Sequence, residues 1–215
     1  DSDTGDDITN SFSAIAFDDT DTLFGIENDA TGDYLVTINP TTTVVTRLGL
    51  VEEGVTPLDI AAMDFTQAGE LVAYDDSPAG GRRMVQINVD LAAGAIGAAE
   101  ARSADGAVAG VGDLRGLTSD SNGRFFSVND RGATDELWIS SNQLFRLSPA
   151  SGQAAAVSVL TEAGIGLTDS MIALAVQDDG VTVNGILREG GQDILVQFPV
   201  GSGNIIRLGV VQVDG

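Results

Sequence analysis

An apolar run that follows a turn signal recurs four times along the chain: Leu23-Phe24-Gly25-Ile26, Leu71-Val72-Ala73-Tyr74, Phe125-Phe126-Ser127-Val128 and Val181-Thr182-Val183-Asn184. The period is about 50 residues. Units of that size cannot bury their apolar faces alone and must stack on one another. Twelve residues ahead of each run a small polar residue, Ser11, Asp59, Asp113 or Asp169, opens a further strand. A third strand follows each run: Tyr34 to Asn39, Met84 to Asn88, Gln143 to Leu147 and Ile194 to Phe198. After a Pro or Gly turn comes a fourth apolar stretch, as in Thr43 to Gly49 and Asn204 to Gly209.

Polar and apolar residues alternate near period two in Leu35-Val36-Thr37-Ile38 and Val85-Gln86-Ile87-Asn88, which is strand patterning. Asp178-Asp179-Gly180 and Ser121-Asn122-Gly123 supply the conformations that tight hairpins require. No segment keeps a helical period, and Gly94 and Gly97 interrupt the Ala-rich stretch at 91–101. The reading is all-β: a β-propeller of four four-stranded blades at about 11–53, 58–102, 113–162 and 168–215, behind an acidic leader at 1–10. Four blades can close on themselves or form part of a larger propeller completed by another chain. A β-sandwich or solenoid built from the same hairpins is the alternative architecture.

Two stretches carry a likeness to a known family. Thr22-Leu23-Phe24-Gly25-Ile26 with Leu35-Val36-Thr37-Ile38-Asn39-Pro40-Thr41, and Leu144-Phe145-Arg146-Leu147-Ser148-Pro149-Ala150-Ser151-Gly152, resemble the G-x-L-Y-G and L-x-x-I-N-P-x-T-G elements of secreted bacterial β-propeller repeats. The second unit lacks the Pro, and the fourth reads Phe198-Pro199-Val200-Gly201. The resemblance implies a propeller in an extracellular or cell-surface setting, and it brings no catalytic residue with it.

Composition narrows the chemistry. Among 215 residues there is no Cys and no His, and all ten basic residues are Arg. Ser-His-Asp and Cys-His nucleophiles, lysine Schiff bases, His or Cys zinc sites, thiolate iron–sulfur clusters and P-loops each lose an obligatory residue. Carboxylate, Arg, Tyr and hydroxyl chemistry remains, and the expectation is a protein that is not an enzyme. A carboxylate-based glycosidase or lyase is the remote alternative. With 32 acids and a net charge of −22, nucleic acid is repelled. No apolar run reaches the roughly 20 residues of a membrane helix.

The recurring offset supplies the candidate site. Asp59, Asp113 and Asp169, with Ser11 in the first unit, enter the innermost strand of each blade, so the register converges three carboxylates and a hydroxyl on one channel mouth. Oxygen ligands of this kind suit Ca²⁺ or Mg²⁺. The same acids also serve as turn formers that accept loop N–H groups. Asp75, Asp76 and Asp130 belong to loops expected on that face, where they would attract a cationic or glycan partner or simply solvate the loop tips. Trp138, the single Trp, stacks on a sugar ring if exposed and belongs to a core or blade interface if not. Asp18-Asp19-Thr20-Asp21 lies in a hairpin turn at the opposite end, without the distal Glu of a complete calcium loop. Thr41, Thr42, Thr43 and Thr46 read as O-glycosylation acceptors or as β-branched turn and edge residues.

The first 46 residues hold ten acids and no base, a composition suited to a saline exterior. The C-terminal stretch Gly209 to Gly215 is apolar enough to pair with another edge. If it completes a neighbour's blade, the contact is head-to-tail and builds filaments. The leading expectation is therefore an extracellular structural or surface-assembly subunit that self-associates through its terminal strands. A monomeric carbohydrate- or protein-binding module is the alternative.

Overall fold

The structure, a computed structural model, describes residues 11–77, 83–90, 92–102, 113–120, 124–130, 143–148, 154–167, 169–177 and 179–211. Blade 1 consists of β1 (Ser11–Phe17), β2 (Leu23–Asp29), β3 (Gly32–Ile38) and β4 (Val45–Leu50). A hairpin of β5 (Glu52–Glu53) and β6 (Thr56–Pro57) leads into blade 2. Blade 2 holds β7 (Ile60–Phe65), β8 (Leu71–Asp75) and β9 (Arg83–Ile87), then a hairpin of β10 (Val89–Asp90) and β11 (Ala95–Ile96), and the outer strand β12 (Glu100–Ala101). Blade 3 holds β13 (Asp113–Ser119), β14 (Phe125–Asp130), β15 (Gln143–Leu147) and β16 (Ala154–Val159). The hairpin β17 (Thr161–Glu162) and β18 (Ile165–Gly166) precedes blade 4, made of β19 (Ser170–Val176), β20 (Thr182–Glu189), β21 (Gln192–Pro199) and β22 (Ile206–Val210).

Each blade is one four-stranded sheet with its strands in chain order, and the described residues include no helix. This is the four-bladed β-propeller architecture that the repeat predicts. Blades 1 and 2 form one compact unit, and blades 3 and 4 form another. In the first unit Phe24, Ile26 and Leu35 of blade 1 share a core with Ile60, Met63, Ala73 and Val85 of blade 2. The second unit packs Phe126, Val128 and Leu144 with Met171, Val183, Val196 and Phe198. Each fully buried side chain of this size contributes about 1.5–3 kcal/mol. β8 is buried at every position, consistent with its nearly continuous apolar reading, whereas β20 and β21 alternate.

The innermost strand of every blade carries a bulge near its start: between Phe12 and Ala14, Ile60 and Ala62, Arg115 and Leu117, and Met171 and Ala173. A bulge bends its strand, here close to the start of each innermost strand. In β13 the extra residue is Gly116 at φ 59°, the left-handed region that glycine tolerates.

The hairpin turns between first and second strands account for several acids. Asp18 accepts the amides of Thr20 at 2.9 Å and Thr22 at 2.8 Å, so the acidic 18–21 turn closes on its own carboxylate. Asp120 accepts the Arg124 amide at 2.9 Å, and Asp179 those of Val181 and Thr182, both at 2.9 Å. The short β5–β6 and β17–β18 hairpins are absent from the sequence reading. Their turns contain Gly54 at φ 66° and Ala163-Gly164 at φ 51° and 82°.

Candidate functional site

In the first unit, the ends of β2 and β8 and the starts of β1, β3, β7 and β9 bring together a cluster of polar groups. Asp33, only 6% exposed, accepts the Ile60 amide at 2.6 Å and the Asn28 side-chain amide at 2.7 Å. Ser13 donates to the Ile60 carbonyl at 2.6 Å, so both backbone groups of Ile60 are held by blade 1 side chains. Asp75, with no exposed surface, binds the Arg83 Nε at 3.1 Å and the amides of Ser77 at 3.0 Å and Asp59 at 3.3 Å. The Ser77 hydroxyl donates to Asp75 and accepts the Asp59 amide at 3.0 Å. Arg83 reaches on to Glu53 at 2.8 Å.

Burial pushes the Asp33 carboxyl above its ordinary value, and the neighbouring charges of Asp59 and Asp75 push the same way. The Ile60 and Asn28 hydrogen bonds oppose them. With its folded pKa raised, Asp33 contributes stability that is complete below its unfolded pKa and is lost as pH rises through the folded value. Wild type should therefore lose stability relative to Asp33→Asn as pH rises from about 4 to 7. Thermal melts of both proteins across that range check the sign, and a constant difference would refute it.

The expected site residues lie as follows. Ser11 is exposed and within 3.5 Å of Asn28. Asp59 is exposed just before β7, its backbone fixed by Asp75, Ser77 and the Asp76 amide. Asp113 opens β13, but its side chain lies outside the described residues, as do the Asp130 side chain and all of Trp138. Asp169 is half-buried just before β19. Asp75 ends β8 as a buried anchor, and half-buried Asp76 accepts the Tyr74 hydroxyl at 3.3 Å. Among the described residues no group of three or more carboxylates is disposed to hold a metal ion.

Sequence reasoning missed Asp33 and Arg83, and Ser77 beside them. Register reveals them: Asn28 faces Asp33, Asp75 faces Arg83, and Arg188 faces Asp193 across the second and third strands of blades 1, 2 and 4. The Arg188–Asp193 pair is bidentate at 2.8 and 3.0 Å, and it holds Asp193 below the usual carboxylate range.

The first and last strands both leave apolar side chains exposed. β7 buries Ile60, Ala62 and Met63, whereas β1 leaves Ile15 61% and Phe17 55% exposed. The outer strand β4 buries Val45, and Gly49 packs on Ile96 of the β10–β11 hairpin. β22 is exposed at every residue, with Ile206 at 58% and Leu208 at 51%. On the face of the same blade, over β19 and β20, lies a small apolar depression of about 170 Å³ bounded by Ala173, Ala175, Gly185, Ile186 and Leu195.

These features define the chain as a β-propeller, and solved propellers match it. No protein-family model matches the chain, and no curated protein matches it. TolB from Acinetobacter baumannii aligns with 94% of this chain and 43% of its own, at 13% identity and a TM-score of 0.51. The chain thus spans less than half the length of TolB. The PQQ-bound aldose sugar dehydrogenase of Streptomyces coelicolor aligns over 93% of this chain and 81% of its own, at 13% identity and a TM-score of 0.53. A luciferin-regenerating enzyme aligns over 96% and 64%, at 13% identity and a TM-score of 0.55. At these identities the likeness is one of fold.

The likeness corrects the expectation of a protein that is not an enzyme. Two of these propellers are enzymes, so the fold gives no ground for setting the chain apart from catalysis. The missing His, Cys and Lys remove particular mechanisms rather than catalysis as such. No helix among the described residues is long and apolar enough to cross a membrane.

Proposed function

We propose that the chain is an extracellular, acidic propeller module that assembles head to tail, β22 and the blade 4 depression of one copy receiving β1 of the next. The carrying observation is the exposure of Ile15 and Phe17 on β1, whose counterpart β7 buries Ile60, Ala62 and Met63, together with the exposure of Ile206 and Leu208 on β22. A long, apolar, uncovered edge strand is a template for pairing with another chain. Two different terminal surfaces meeting in this way give a heterologous contact that propagates. Within the first unit, the β10–β11 hairpin of blade 2 meets β4 of blade 1 at Gly49, an example of one blade's elements packing on its neighbour's outer strand.

The charge of −22 opposes association, so assembly strengthens as salt or a divalent cation screens it. Sedimentation velocity at low and high ionic strength tests the reading. Larger species should accumulate at high salt and vanish in Leu208→Glu with the strand content unchanged. A 22.0 kDa species under every condition would overturn it. Assembly and catalysis are separate properties of a propeller, and this reading concerns the first.

A further inference from the structure

At the end of blade 1 where β3 turns into β4, a concavity of about 500 Å³ opens between that turn and the start of β2. Its volume falls within the range of small-molecule sites. Thr37, Thr42 and Thr46 line it, and their hydroxyls find no hydrogen-bond partner among the described residues. The same holds for the Asp21 carboxylate, on a residue held at φ 63°, and for the Asn39 side-chain NH₂. The Asn39 side-chain oxygen, in contrast, accepts the amides of Thr41 at 2.9 Å and Thr42 at 3.0 Å, which fixes the amide with its NH₂ free. Leu23, Ile38, Pro40 and Val44 supply apolar walls between these groups.

Blade 2 shows what this place looks like when closed. Leu23 faces Ile38 in blade 1 as Leu71 faces Ile87 in blade 2, so Thr37 corresponds to Gln86, Asn39 to Asn88 and Thr22 to Glu70. There Arg102 binds Glu70 at 2.5 Å and Gln86 at 2.7 Å, Asn88 donates to Glu100 at 3.2 Å, and the space shrinks to about 210 Å³. In blade 4 the corresponding Gln197 donates to Asn184 at 3.1 Å. Blade 1 has the short Thr37 where blades 2 and 4 have Gln86 and Gln197, and its Asp21, Asn39, Thr42 and Thr46 are open to solvent and to a ligand.

We propose that this concavity is a binding site for a neutral saccharide. Threonine hydroxyls both donate and accept, as sugar hydroxyls do. The Asn39 NH₂ is a two-proton donor, and the Asp21 carboxylate is an acceptor for a pair of vicinal hydroxyls. The apolar walls suit the C–H face of a pyranose. Asp21, in a chain of net charge −22, disfavours phosphate and carboxylate ligands. The site lies within blade 1 and does not depend on head-to-tail assembly.

The test is a chemical-shift titration of the full chain at low salt with glucose, mannose and galactose oligosaccharides, and with inorganic phosphate as the anionic control. Saccharide should shift the amides of Thr37, Thr42, Val44 and Thr46, and phosphate should not. Thr37→Gln with Thr46→Arg, which puts two long side chains into the space, should weaken binding at least tenfold. Thr42→Val, which removes one hydroxyl at constant size, should weaken it about three- to tenfold. Both variants should keep the wild-type dispersion of the remaining amides. Absence of shifts at those residues with all three sugars, or unchanged affinity in the filled variant, overturns the proposal.

Discussion

Asp75→Ala destabilises the first two blades by about 3–5 kcal/mol, the cost of removing one partner of a buried ion pair. Arg83 is nearly as buried as Asp75 and would lose a fully buried counter-charge, while the Glu53 carboxylate that it also binds is 41% exposed. The amides of Ser77 and Asp59 would lose their shared acceptor at the point where the chain enters β7. The fall in melting temperature should be roughly 10 °C. Removing both charges, as in Asp75→Leu with Arg83→Met, should recover much of the loss, because no unpaired buried charge remains. Equal destabilisation by the single and double changes would mean that packing, rather than the ion pair, sets the cost.

Gly116→Ala should cost about 2 kcal/mol or more, through two effects that add. The residue sits at φ 59°, where a side chain is strained by roughly 1 kcal/mol. The new methyl would also lie 2.9 Å from the Leu174 backbone nitrogen and 3.4 Å from the Ala173 carbonyl carbon. Neither backbone atom can rotate away, so β19 must shift against β13. Gly54→Ala is the control: it shares a positive φ of 66° but meets nothing within 4 Å, and only the strain should appear. Chemical denaturation of the two variants separates these effects, and equal losses would refute the close approach at Gly116.

The strands were legible because period-two patterning and the offset of twelve residues are local properties of the chain. The offset located the starts of the innermost strands, and the bulge near each of those starts has no comparable local mark. Asp75 and Asp76 read as a loop tip because two adjacent acids ordinarily solvate a turn. β8 instead runs through Asp75, whose partner Arg83 lies eight residues away. Asp33 was passed over for a similar reason, since its partner amide on Ile60 is 27 residues distant. The short hairpins at Glu52–Glu53 and Thr161–Glu162 left only Gly54 and Gly164 as signals, too little to separate them from plain turns. Trp138 and the side chains of Asp113 and Asp130 lie outside the described residues.

The central claim, that β1 of one copy meets β22 of another, is tested most directly by placing one thiol on each surface. The sequence contains no cysteine, so Ile15→Cys and Leu208→Cys each carry a single reactive group. The two variants are mixed at high salt and treated with a short thiol–thiol crosslinker. The head-to-tail arrangement predicts a covalent heterodimer well in excess of the homodimers that either variant forms alone. Monomers only, or homodimers as abundant as the mixed product, would contradict it.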